Sequence, residues 1–179
     1  QQALALGIHP RTLYALRDTG ALERLSRGVY RLADLPPLTH PDLVVVAQRF
    51  PDAVICLISA LDFHDLKTQI PHVVDVAIEQ GASRPSLDSP PVRVFHFSGA
   101  AWSEGMRQYS LEGVDVRIYG PAKTVADVFK YRHKLGLDVA IEALNLYRQH
   151  PNFDVSDLLR YARICRIENV MRPYLEAIL

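Results

Sequence analysis

Arginine is the residue type whose spacing first suggests chemistry in this chain. Arg11, Arg17, Arg24, Arg27 and Arg31 face only Asp18, Glu23 and Asp34 within residues 1–35, so that segment carries a net +2 while the other residues carry −2. The formal total of zero hides this asymmetry, which favours contact of the N-terminal segment with a polyanion. An Arg fork reads guanine edges or clamps phosphates, Thr bonds either, and Ala or a Thr methyl touches a thymine methyl. Arg11, Thr12, Tyr14 and Arg17, with Ala15 between them, therefore form a candidate recognition face, with Arg24, Arg27 and Arg31 as candidate phosphate contacts.

Catalytic constellations are harder to assemble. Asp75 and Glu79 lie four apart on an expected strand, hence on one face, and mimic the acidic pair of a metal-dependent nuclease. A third ligand and a Lys two positions after Glu79 are missing, so a solvated or salt-bridged strand face is the expectation. His64, Asp65, His72, Asp75 and His96 have metal-ligand chemistry, but their spacings match no zinc pattern, and no metal is assigned. Ser59 lacks a G-x-S-x-G context and Cys56 lacks an activating neighbour. Neither a P-loop nor G-x-G-x-x-G occurs, so no nucleotide or cofactor site is expected. No catalytic residue is assigned, and the chain is not expected to be an enzyme. Lys123, Lys130, Arg132, His133 and Lys134 cluster at and beyond one helix; they would contact phosphates, stabilise a helix C-terminus or stay solvated. Lys123, Lys130, Arg132 and Lys134 are accordingly a candidate supplementary basic surface. Arg160, Arg163, Arg166 and Arg172 raise the same question with less focus.

The elements that must position the arginines follow from local chemistry. Gly7 is placed to end a helix QQALAL with positive φ. Pro10 then starts a second helix, because its φ is preset for the first helical position. Leu13 and Leu16 are expected to turn inward, joined by Leu22 after a turn at Gly20. Glu23–Leu25 and Val29–Leu32 alternate around Ser26-Arg27-Gly28, as a hairpin does. Helix, turn, helix and hairpin in this order are the grammar of a winged helix-turn-helix. The chain begins without Met and inside a helical pattern, so more sequence is expected before it.

LADLPPLTHP, with three prolines, sets a boundary between a winged module (residues 1–35) and a second domain (residues 36–179). Helices are expected from Pro41 and over Cys56–Phe63, with Ile58 and Leu61 inward. Strands are expected at His72–Ile78, Val92–Phe97, Met106–Leu111 and Val114–Tyr119, the last two closing on Glu112-Gly113. From Pro121 the period becomes 3.6: one helix carries Val125, Val128, Phe129 and Leu135, and three more follow, with Pro173 at the start of the last or kinking it. The second domain thus reads as α+β, with a small, partly antiparallel sheet and a helical C-terminal half.

With 179 residues, 49 % hydrophobic and 22 % charged, the chain can bury a core without staples. Cys56 and Cys165 are expected as free buried thiols, and a reducing cytoplasm as the compartment. No apolar run approaches the roughly 20 residues that span a bilayer, and no signal peptide is visible.

Three stretches, GIHPRTLYALRDTGALERLSRGVYRL, CLISALDFHDL and YGPAKTVADVFKYRHKLGLDVAIEAL, together resemble the AbiEi-type antitoxins, the transcriptional regulators of type IV toxin-antitoxin systems. That resemblance implies an N-terminal winged helix that binds inverted repeats in the chain's own promoter, and a C-terminal domain with the antitoxin activity. It also implies a nucleotidyltransferase toxin that is opposed without a stable complex. Carried residue by residue, it supports Arg11, Thr12, Tyr14, Arg17 and Arg27 as DNA contacts. Two rival readings are a ligand-sensing one-component regulator and a nuclease built on Asp75 and Glu79.

Overall fold

The structure, a computed structural model, describes residues 6–67 and 71–179. The helix expected at QQALAL falls mainly on residues 1–5, outside the described residues; Leu6 and Gly7 form a turn, with Gly7 at φ 77°. Helix α1 (Pro10–Asp18) starts as its sequence dictates: Pro10 takes the first helical position, and the His9 ring nitrogen Nδ1 accepts the Arg11 backbone N–H at 3.2 Å. Gly20 turns the chain at φ 77° into β1 (Leu22–Ser26) and β2 (Val29–Leu32). These strands pair antiparallel around Arg27-Gly28, with Glu23 opposite Arg31 and Arg24 opposite Tyr30. The expected inward face of α1 needs correction, because Leu13 is only half-buried and Leu16 is 39 % exposed. A nine-residue helix with no fully buried side chain keeps its shape through its caps and neighbours rather than through a core of its own.

Beyond the proline linker lies an α+β fold on a mixed sheet. Its elements are α2 (Pro41–Arg49), β3 (Val54–Ile55), α3 (Leu57–Phe63), β4 (Val74–Glu79), β5 (Val92–Phe97), α4 (Ala100–Ser103), β6 (Met106–Leu111) and β7 (Val114–Tyr119). The helices α5 (Pro121–Lys130), α6 (Arg132–Leu135), α7 (Leu137–Gln149), α8 (Val155–Ile164) and α9 (Glu168–Ile178) complete it. Strand order is β5-β4-β3-β7-β6; β4 runs parallel to β5 and β3 to β7, and the other pairs are antiparallel. The β6–β7 hairpin closes on Glu112-Gly113, both at positive φ, as a two-residue turn requires.

Two apolar layers flank this sheet. Val74, Val76 and Ile78 of β4 join Leu43 and Val46 of α2 on one side. Ala77, Phe95 and Phe97 join α5, α7, α8 and α9 on the other. The central strand β3 went unforeseen, since two residues carry no periodicity. The helix expected through Leu135 is broken: α5 stops at Tyr131, and α6 is a single turn closed by Gly136 at φ 108°. Pro173 lies inside α9, whose other residues hold the helix around it.

His64, at the end of α3, ties that helix to the sheet. Its Nε2 lies 2.8 Å from the Tyr119 carbonyl, which only accepts, so Nε2–H donates. The ring meets Phe63 and Tyr109 edge-on. Burial pushes the His64 pKa down, with His150 and Arg107 acting the same way and Asp65 and the Tyr119 carbonyl opposing. With a folded value below the unfolded one near 6.5, the unfolded chain binds more protons, and stability falls as pH drops from about 6.5 through the folded value. Urea midpoints at about pH 7.5 and about pH 5.5 are expected to differ less in His64→Gln than in the unsubstituted chain. Equal differences would remove His64 from the acid response.

Candidate nucleic-acid interface

The expected DNA-contacting side chains separate into free and engaged groups. Arg11 and Thr12 are exposed on the first turn of α1, and Arg27 is exposed at the hairpin tip; among the described residues, neither arginine makes an ion pair. Tyr14 is exposed, with the Arg17 guanidinium 5.3 Å from its ring centre. Arg17 donates from Nε and Nη2 to Asp18 Oδ1 at 2.8 and 2.6 Å. That pair is exposed and screened by solvent, so water or a phosphate competes for the guanidinium easily. Arg24 is exposed and donates to the Ser26 carbonyl at 3.2 Å.

Arg31 differs from the role expected for it. Its side chain is 11 % exposed, sits 3.4 Å from Glu23 across the hairpin, and donates to the carbonyls of Leu32, Leu35 and Pro36. It fastens the start of the linker to the hairpin, so a phosphate would have to displace several partners to reach it. The hairpin is also held to the sheet domain: Ser26 Oγ donates to the Ser89 carbonyl at 2.6 Å. The linker follows suit, with Thr39 N–H donating to Glu112 Oε1 at 3.0 Å.

The supplementary surface loses one member. Lys123 is fully buried, its Nζ 2.5 Å from Asp127 Oδ2 and 4.4 and 4.9 Å from the ring centres of Tyr119 and Phe97. Cys165 donates from Sγ to the other Asp127 oxygen at 3.1 Å. Burial pushes the Cys165 thiol up to about 12, which keeps it a neutral donor. Lys130, His133 and Lys134 are exposed and Arg132 is half-buried.

Asp75 is buried and doubly engaged. Arg93, its partner in the β4–β5 register, donates to both carboxylate oxygens at 2.7 and 2.9 Å, and Ile58 N–H donates to Oδ2 at 3.1 Å. Glu79 is exposed, so the acidic pair considered for a nuclease shares no common environment. Among the described residues, no group of three or more His, Cys, Asp or Glu is placed to hold a metal ion. Likewise, no helix among them is long and apolar enough to cross a membrane.

The buried Lys123–Asp127 pair lay outside the sequence expectations, whereas a salt bridge on the Asp75 strand face was among them without its partner, the exposed Arg93. The signal for Lys123–Asp127 was present, because two opposite charges four apart interrupt an otherwise apolar helical run. Arg93 could be matched with Asp75 only once the parallel register was known.

The chain thus pairs a short basic helix-and-hairpin unit with a larger α+β part. Residues 1–33 match the model of a family described as transcriptional regulator, AbiEi antitoxin. The match covers the unit that carries Arg11, Arg17, Arg24, Arg27 and Arg31. No curated protein matches the chain.

Proposed function

We propose that this chain is a sequence-specific, duplex-DNA-binding transcriptional repressor that doubles as an antitoxin, without catalysis of its own and without a cofactor. The observation that carries the reading is the pairing of free Arg11 and Arg27, on a helix and a hairpin tip, with a family match over that same segment. The N-terminal unit is read as a winged helix-turn-helix, α1 entering the major groove and the hairpin serving as wing. Arg11 and Thr12 read base edges, while Arg24 and Arg27 set the register on phosphates. Its DNA is read as inverted repeats upstream of its own operon, and its compartment as the cytoplasm. The family described by the match couples such regulation to antitoxin activity, and the α+β domain is the part assigned to it here. Its toxin is read as a nucleotidyltransferase, opposed without a stable complex.

Arg27→Ala is expected to flatten the salt dependence of binding, by about one unit of slope in log K against log salt, if the wing holds one phosphate. An unchanged slope would take the wing out of the interface. The antitoxin half is tested by co-expression in cells: growth arrested by the toxin is restored by the intact chain, and no rescue would remove that half of the reading.

A further inference from the structure

Among the described residues, cations of the C-terminal half divide into those that meet an acid and those, Arg148 and Arg166 included, that make no ion pair. In the C-terminal helices, Arg160 pairs with Glu104 and Asp157, and Arg163 and Arg172 both pair with Glu168. At the α5–α6 junction, by contrast, Lys130, Arg132 and Lys134 make no ion pair among the described residues, and His133 beside them is exposed. Arg132 donates to the Phe129 carbonyl at 3.0 Å, which accounts for part of its placement as a helix cap. The two lysines have no such use: their Nζ atoms lie 5.9 Å from the Phe97 ring centre and 5.7 Å from that of Tyr131. Phe97 and Tyr131 are stacked, 5.8 Å apart and 11° from parallel, so the two ammonium groups lie over one aromatic base.

This cluster is remote from the helix-and-hairpin unit. The hairpin docks at Ser89, just before β5, and Lys130 lies over Phe97, the last residue of that strand. Six residues of strand separate the two points by roughly 20 Å. The hairpin leans on the α2 side of the sheet, and α5 packs on the opposite side.

We propose that Lys130, Arg132 and Lys134 form a second, sequence-independent contact for the phosphate backbone of duplex DNA, taking a different segment from the one held by the N-terminal unit. The inference rests on the reading of that unit as a reader of duplex DNA, because a chain parked on DNA meets other stretches of duplex as its most abundant local polyanion. Two exposed lysines over one stacked aromatic pair, with Arg132 between them in the chain, suit a few neighbouring phosphates and offer no base readout.

The test is stoichiometry, read by titrating the full chain with a short duplex that carries its upstream sequence. Two duplexes per chain are expected at about 50 mM salt, the second weakening roughly 15- to 60-fold by about 200 mM, as release of two to three counterions requires. Lys130→Gln with Lys134→Gln is expected to remove the second duplex and leave the first, with its preference over scrambled DNA, unchanged. Both side chains are exposed, and an unchanged urea midpoint confirms that the variant is folded. One duplex per chain at low salt, a second that survives in the variant, or a second site that takes single-stranded RNA and ignores duplex would each overturn the proposal while the N-terminal reading stands. Absence of any sequence-preferring site would overturn both.

Discussion

Asp127→Ala is expected to cost the folded chain about 3–5 kcal/mol, because it strands the Lys123 ammonium in a fully enclosed site. Burial of a charge without a partner is among the few single changes that reach this size, and it is a large part of the ~5–15 kcal/mol that holds a typical domain together. Cys165 Sγ also loses the acceptor it now has. Lys123→Met leaves a buried carboxyl that neutralises itself by taking a proton, at a cost of similar order. Burial already pushes Asp127 up, against the pull of Lys123 and Cys165. A group with a raised folded pKa is at its most favourable below its unfolded value and loses stability as pH rises through the folded one, so this variant weakens with rising pH. Lys123→Met combined with Asp127→Leu removes both charges and is expected to lie near the unsubstituted chain, or up to ~4 kcal/mol above it. Urea unfolding at neutral pH checks the series. A single Asp127→Ala loss under about 1 kcal/mol would mean that Lys123 leaves its cage at little cost.

The second large effect falls on binding. Arg11→Ala is expected to weaken the preferred duplex by about 1–3 kcal/mol, roughly 5- to 150-fold in Kd, and scrambled duplex far less. The substitution leaves α1 intact, because the cap uses the backbone N–H of residue 11 and Ala is the best helix former. The loss therefore reports the guanidinium alone. Competition anisotropy with both duplexes checks it, and an equal loss on both would make Arg11 a phosphate contact.

Where local chemistry decides structure, the chain was readable in advance. Pro10 starting α1, Arg27-Gly28 at a hairpin tip and Glu112-Gly113 at another all follow from preferences confined to a few residues. The strand faces of Val74, Val76 and Ile78 followed from alternation. Long-range pairing was out of reach: β3 is two residues long and exists because β4 and β7 flank it. The same limit applied to the site. Arg11 and Arg27 stand exposed as expected, yet Arg31 alternates like its neighbours and turns instead onto the linker carbonyls. Lys123 belongs by sequence to a basic run and by structure to the core, because α5 is enclosed by the sheet, α3, α7 and α8 from Pro121 to Phe129. Charge counted along a sequence says nothing of which side of a buried helix it falls on.

The N-terminal unit is proposed to read DNA sequence. The most direct measurement is fluorescence anisotropy of the full chain on its own upstream duplex, with scrambled duplex as competitor, at two salt concentrations. A preference of roughly 10³ or more for the upstream duplex is expected. Equal, salt-sensitive binding to both duplexes, or no binding at all, would contradict it.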